Sequence, residues 1–466
     1  MKRALGWLGA VVTGCVLAGC GAHLDSPASV ATLRHDGASS DDPEIVGRWA
    51  LAEELSPSGD ARALPRALAR IASLHRPSVL GSAAVGIFEE SHGHPRAAAD
   101  AYVATLSAAR TSRVPEVPLV AWYATHRLKS LRLDVLKLYE SHRPLLDEMV
   151  KNPGNIGWRA EAELADWLEG ETYRRAEITG NDFDRYVVKT SGCLSGLRLA
   201  GPFGHGTAPD RRRAFDAEAP GPWPQTFAAD PLRTSPPKIL KSKQPSCTVA
   251  SEEQTGSGVF YVEGFFSTDL DRDVVIGVQG ALAVRVDDEL VRSRDLREWG
   301  VWQRFGVAVH LPAGRHRVVA RVLDDSASIR VLDMDGRPTP VKSETDTRAP
   351  YAIVPPKVQG DPNPLAALVA AQRAPDAITA YFGAYLANVE AMADVADVLV
   401  APYVEPEDAS ADMLEAAATY SSADPAYPTE VKHTKERELM LRAAKRDPKL
   451  WFARARLILD DTDQCG

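Results

Sequence analysis

The spacing of apolar residues changes period twice along this 466-residue chain, and a segment patterned at one period does not settle into the other structure. From Asp42 onward Ile45, Trp49, Ala52 and Leu55 fall on one helical face, and helical spacing continues to about Arg175. Between Tyr186 and Val341 the period is two. Residues 259–266, 274–278, 281–286, 301–311, 315–322 and 328–332 read as strands, parted by turn signals such as Gln279-Gly280 and Asp335-Gly336. After Pro364 the helical period returns. The expectation is a multidomain α+β protein. An α-helical hairpin array covers 42–185, an antiparallel β-sandwich covers 186–341, and a second α-helical array covers 365–466, after a linker at 342–364. Inside the sandwich, 204–257 is an irregular, proline-bearing insert in which Trp223 and Phe227 indicate that part of it packs.

Composition enters as a limit. Apolar residues make up 45% and charged residues 25%, which excludes wholesale disorder and a polytopic membrane protein. The net charge of −9, from 54 Lys+Arg against 63 Asp+Glu, argues against a nucleic-acid partner, since such binding is dominated by basic residues on phosphates. Five cysteines are too few for a disulfide scaffold.

Met1-Lys2-Arg3 is a short basic start, and the following stretch to Val16 is apolar or small without charge. It is shorter than a bilayer span. Leu17-Ala18-Gly19-Cys20 then resembles a bacterial lipobox, and Val12-Thr13-Gly14-Cys15 is a poorer match. The resemblance implies a lipoprotein whose signal peptide, 1–19, is removed and whose Cys20 thiol carries the lipid. Two or three acyl chains, at about 0.8 kcal/mol per buried CH₂, hold such a protein firmly on a membrane. Gly21 follows in place of the Asp of an inner-membrane retention signal, which points to the outer membrane of the cell envelope. Loss of Lys2 and Arg3 makes the mature charge −9 − 2 = −11. Residues 20–41, small and polar, read as a flexible tether.

Two further resemblances concern the folded part. Gly86, Ala98 and Tyr102 around the turn Gly93-His94-Pro95 resemble one tetratricopeptide repeat over 80–111, and Arg446-Asp447-Pro448 with Trp451 and Ala455 resembles the turn between successive repeats. Leu199-Ala200-Gly201-Pro202-Phe203, the hairpin around Val286-Asp287-Asp288 and the Leu311-to-Val319 stretch are similar to the jelly-roll modules of the protective-antigen and family 2 glycoside-hydrolase type. They imply a jelly-roll-like sandwich and a glycan as an alternative ligand. Asp288 stands where that family usually has Gly. Lipoproteins of similar layout continue into a transglutaminase-like domain, so a non-catalytic front part of such a protein is a further alternative.

The sequence offers no catalytic residue, metal site or cofactor motif: His-Glu-x-x-His, Gly-x-Ser-x-Gly, Walker A and Cys-x-x-Cys do not occur. His92 and His94 read as an exposed turn, His310 and His316 as structural, Asp269-Leu270-Asp271-Arg272-Asp273 as a polar loop, and Asp287-Asp288 as a hairpin turn in preference to a calcium loop. Cys193 and Cys247 bracket the insert and form the candidate disulfide, worth about 3 to 4 kcal/mol by loop closure. Cys465 is the odd thiol. Trp299 is the candidate ligand contact, whereas alternation places Trp302 in the core. The function expected is that of a non-enzymatic envelope lipoprotein, with the membrane as partner through its lipid and an envelope protein as partner through its helical surface. A fatty-acid probe fed to producing cells is expected to label the protein, and Cys20→Ala is expected to abolish the label; label that survives the substitution contradicts the assignment.

Overall fold

The computed structural model describes residues 27–463, apart from 61, scattered positions within 158–190, and 230–234, 243–244, 252–256, 279–280, 294–305, 323–324, 335–337, 353, 361–375, 390–391 and 425–426. It is a mixed α+β fold. The N-terminal helices are α1 (Pro27–Ser39), α2 (Pro43–Leu55), α3 (Leu64–Leu74), α4 (Val79–Ser91), α5 (Pro95–Ala109), α6 (Val117–Leu131) and α7 (Leu138–Lys151). Local chemistry starts them. Asp42 accepts the Glu44 N–H at 2.9 Å ahead of Pro43, and Ser78 accepts the Gly81 N–H at 2.8 Å. Glu44 then reaches sideways. Its carboxylate accepts the orphan N–H groups of Val79 and Leu80, at 2.8 and 3.0 Å, so the first turn of α2 caps the first turn of α4.

These two helices cross backbone to backbone. A Cβ on Gly47 would lie 2.2 Å from the Gly81 nitrogen, closer than any side chain permits. Similarly, a Cβ on Gly86 would lie 2.4 Å from the Tyr102 ring, so the small residue and the aromatic meet at the α4–α5 seam.

The tether expected over 20–41 is helical over Pro27–Ser39. Val30 of α1 is fully buried, and Arg34 forks onto Glu53 of α2 at 2.5 and 2.7 Å. Glu53 also accepts the Trp49 indole N–H, 2.8 Å, and the Asp60 amide, 2.7 Å. An apolar anchor and a bidentate ion pair help to hold α1, and neither produces an apolar period.

The sheet region contains β1 (Arg198–Phe203), the short helix α8 (Ala208–Arg212), β2 (Lys238–Lys241), β3 (Val249–Ala250), β4 (Val259–Thr268), β5 (Arg272–Val278), β6 (Ala281–Val286), β7 (Glu289–Ser293), β8 (Val307–Leu311), β9 (Gly314–Val322), β10 (Ser326–Ala327), β11 (Ile329–Leu332), β12 (Lys342–Glu344) and β13 (Lys357–Gly360). One sheet runs β2-β1-β4-β9-β6-β7, with β12 also on β4. The other runs β11-β5-β8-β13, and β3 pairs with β10. Strand pairs are antiparallel throughout. Val262, Phe266 and Val318 of the first sheet share one core with Ile276, Val309 and Val331 of the second.

The alternate residues of the first sheet face the insert. Tyr261 and Val319 pack with Phe203, Trp223 and Phe227, so the segment expected to be irregular closes a second small core over the outer sheet face. Charges are buried there in matched sets. Glu263, 1% exposed, accepts Arg198 at 2.6 Å and Arg317 at 2.9 Å. Glu218 accepts Arg321, Arg285 and the Tyr261 hydroxyl at 2.7, 3.0 and 2.9 Å. The expected linker at 342–364 is also part of the sheets. Ser343 stands opposite Phe266, and Val358 opposite Val309, because short edge strands can be held by backbone pairing with few apolar residues.

The remaining helices are α9 (Ala377–Val389), α10 (Ala393–Val404), α11 (Ala411–Ala423), α12 (Thr429–Arg446) and α13 (Trp451–Asp463). They do not form a separate array. Val46, Leu51, Tyr123, Phe382, Leu386, Leu414 and Ala453 belong to one buried cluster, with α9 against α2 and α6 and α11 against α2. The two helical stretches thus meet in one shared buried cluster. An apolar face that looks complete within each half is completed by the other, and the sheets are an insertion between the halves. Among the described residues no helix is long and apolar enough to cross a membrane.

Gly47→Ala separates two effects of opposite sign. Intrinsic propensity favours Ala in a helix by about 1 kcal/mol, whereas the clash with α4 costs about 1–3 kcal/mol. Denaturant unfolding is expected to show net destabilisation; a stabilised variant would contradict the backbone crossing.

Candidate functional site

Helical spacing carries side chains from both halves of the chain to one cleft. Helix α4 contributes Ile87, Glu90 and Ser91. Helix α6 presents Tyr123, Arg127 and Leu131 four residues apart. From the C-terminal half, α9 adds Tyr381, Tyr385 and Asn388, and α11 adds Asp412, Glu415 and Thr419, again at intervals of three and four, with Tyr420 next to the last. The cleft holds about 580 Å³. Trp451 and Phe452, 64% and 46% exposed at the start of α13, stand at its rim beside the α4–α5 turn, where the Trp451 Cβ and ring lie 3.6 Å from the Cβ position of Gly93.

One wall is fixed by a polar network. Glu90 accepts the Tyr102 hydroxyl at 2.8 Å and Arg127 Nε at 3.0 Å, and pairs with a second Arg127 nitrogen. Arg127 also donates to the Tyr385 hydroxyl at 3.1 Å and stands 5.4 Å over its ring. His126 meets the same hydroxyl at 2.8 Å. Tyr123 is packed edge-on between Phe382, at 4.8 Å, and Tyr385, at 4.7 Å.

The opposite wall carries acids with displaced pKa values. Burial pushes Glu415 up to about 8, and the neighbouring Asp412 adds to it. Burial likewise raises Asp412 to about 6, opposed by His92 and a hydrogen bond from Ser91. Glu415 Oε2 accepts the Ala453 N–H at 3.0 Å, which ties α11 to α13.

The residues singled out in the sequence stand elsewhere. Cys193 and Cys247 form a disulfide with Cα atoms 5.5 Å apart, at the edge of the sheet region. Cys20, Trp299, Trp302 and Cys465 lie outside the described residues. The two turn histidines diverge: His92 Nε2 is 3.2 Å from Asp447 and His94 Nδ1 is 2.8 Å from Glu89. His310 and His316 do not meet either. The first is 2.8 Å from Asp273, and the second, fully buried, is 2.7 Å from Asp287. Asp287 and Asp288, with φ of 50° and 72°, form the tight turn of the β6–β7 hairpin. Their carboxylates are engaged by protein: Asp287 accepts the Arg317 N–H at 2.9 Å, and Asp288 accepts the Arg317 guanidinium and the Tyr351 hydroxyl, both at 2.7 Å. Among the described residues no group of three or more His, Cys, Asp or Glu could hold a metal ion.

Sequence reading missed the cleft because its walls are separated by the inserted sheets. The signal available was faint: Tyr381 with Tyr385, and Asp412 with Glu415, are polar-edged pairs on otherwise apolar helix faces. Comparison with family models finds no match to this chain, and comparisons with curated proteins and with solved structures find none either.

The raised acids make stability depend on pH with a definite sign. Between the ordinary value of 4.5 and about 8 the unfolded Glu415 ionises while the folded one keeps its proton. The folded state then binds more protons, and stability falls as pH rises through that window. Asp412 acts likewise up to about 6. Thermal unfolding followed at fixed ionic strength is expected to move to lower temperature from pH 5 to pH 8.5, and Glu415→Gln is expected to flatten the slope. An unchanged slope in that variant contradicts the assignment.

Proposed function

We propose that this protein is a lipid-anchored envelope lipoprotein, held through Cys20 in the outer membrane, that binds a segment of an envelope protein in the cleft of its helical unit and carries out no chemistry. The helical unit acts as a repeat-like array and the sheets as a jelly-roll-like module that spaces or supports it. The observation that carries this reading is the cleft itself. Its walls come from α4, α6, α9 and α11, and its rim offers Trp451 and Phe452 to solvent. Exposed aromatics around a pocket of several hundred cubic ångströms are the anchoring elements of protein recognition. Helical arrays bind in this way, by surface and not by reaction.

A photo-crosslinking residue at Phe452, introduced into the full chain in its own envelope, tests the proposal. One defined adduct is expected at Phe452, none from the same residue at the exposed Leu290 of β7, and loss of the adduct when Ala416→Trp fills the cleft. Equal adducts at both positions, or an adduct indifferent to Ala416→Trp, would overturn it.

A further inference from the structure

The charges lining the cleft are unbalanced. Glu90, Asp134, Asp412 and Glu415 are all present against one guanidinium, Arg127. Arg127 is already matched to Glu90. Among the described residues neither Asp412 nor Glu415 forms an ion pair with Lys or Arg. A second, smaller cavity of about 50 Å³ shares Asp412 as a wall and is lined by Glu54 of α2. Glu54 is 4% exposed, and among the described residues neither of its carboxylate oxygens has a hydrogen-bond partner. A buried polar group left this way is costly, so packing alone does not account for it.

Ring surface is available beside these acids. Tyr381 and Tyr385 are partly exposed in the cleft, and Tyr385 already carries one cation, Arg127, over its face. Glu415 offers one oxygen in place of a fork, since its Oε2 is taken by the Ala453 N–H, and Asp412 lies one turn away on the same helix. Separate acceptors suit a compact ammonium with three rotatable donors, whereas a guanidinium seeks two parallel oxygens on one carboxylate.

We propose that the cleft is a site for an alkylammonium group, either a lysine side chain of the bound segment or a free primary amine, with Asp412 and Glu415 as counter-ions and the Tyr381 and Tyr385 rings along the alkyl chain. The proposal rests on the cleft being the binding surface argued above, and names the chemistry it selects.

Binding is then linked to a proton. Glu415 faces Asp412 on its own helix, Glu90 of α4, and Arg127 of α6, while Asp412 faces Glu54, His92, Tyr381 and Asp447, with Arg446 lining the smaller cavity beside it. With Glu415 held up to about 8, it is mostly neutral at pH 7, and an arriving ammonium must draw off its proton. Affinity is therefore expected to rise about tenfold from pH 7 to pH 9, where the amine itself is still charged.

The test is calorimetric titration of the full chain with Nα-acetyl-lysine N-methylamide and with 1,5-diaminopentane, alongside the corresponding norleucine and arginine amides. Saturable binding of an amine with proton release at pH 7, no binding of the norleucine amide, and a tenfold or greater loss in both Glu415→Gln and Asp412→Asn are expected. Circular dichroism verifies that each variant is folded, and either variant suffices if the other is not. Tighter binding of the lysine amide identifies a peptide source, and tighter binding of the diamine a free amine. Norleucine or arginine amide binding as well as the lysine amide, or no heat from either amine at millimolar concentration, overturns the proposal. A Phe452 adduct that persists unchanged in Glu415→Gln also overturns it while leaving the protein-binding reading intact. Amine binding with no Phe452 adduct removes that reading and keeps the amine site.

Discussion

The contact between α9 and α11 on one side and α2 and α6 on the other is the joint on which the rest of the molecule hangs. Tyr123 is buried there between Phe382 and Tyr385, and each such edge-on pair adds about 0.5–1.5 kcal/mol beyond its area. At the same joint Ser410 caps α11, accepting the Met413 N–H at 3.2 Å, and donates to the Leu55 carbonyl that ends α2, also at 3.2 Å. Arg48 of α2 bonds Glu116 at 2.5 Å and reaches Asp376, just ahead of α9, at 3.6 Å. Each half lends the other an apolar face and terminal hydrogen-bond partners. The cleft exists only because the joint is made.

The same chemical group is used in two ways in the two units. Glu263 and Glu218 are buried in the sheet region, but each meets two arginines, so their charge is compensated where it is desolvated. Deleting one member would strand the others, and the Glu218 set ties the insert to the sheet it packs on. Among the described residues Glu54, Asp412 and Glu415 in the helical unit have no such arginine partners, and burial displaces their pKa values upward. Carboxylates matched within the fold stabilise it. Carboxylates left unmatched around a cavity are instead held toward their neutral form by burial.

How much of this was legible depended on the range of the interaction. The period changes set out helices and strands, the Asp42-Pro43 cap started α2 as its residues require, and Gly86 with Tyr102 marked a real helix seam. The Asp287-Asp288 turn was readable because only two positions decide it. Elements held by an isolated anchor and an ion pair, such as α1 with Val30 and Arg34, or by backbone pairing with a few polar side-chain bonds, such as β12 and β13, leave no period to read. The joint and the cleft were invisible for a different reason. Nothing in the apolar face of α2 or α9 states which distant face it will meet, and the i, i+4 tyrosines of α9 look like core until α6 is placed against them.

Insertion of the sheets also sets an order of events on the growing chain. Leu131 ends α6, whereas Ala377 opens α9, and at ~5–20 residues per second the second follows the first by on the order of ten seconds or more. Through that interval α4 and α5, neighbours in sequence, can already pack as a hairpin, but the α2 and α6 faces stay uncovered. Closing so long a loop adds little in entropy, since each doubling of length costs only about 0.6 kcal/mol, and an intervening unit that has already folded shortens the effective span. The hazard is thus one of time and not of stability: a half-made protein presents a bare apolar seam to the holdases and proteases around it until its last helices arrive.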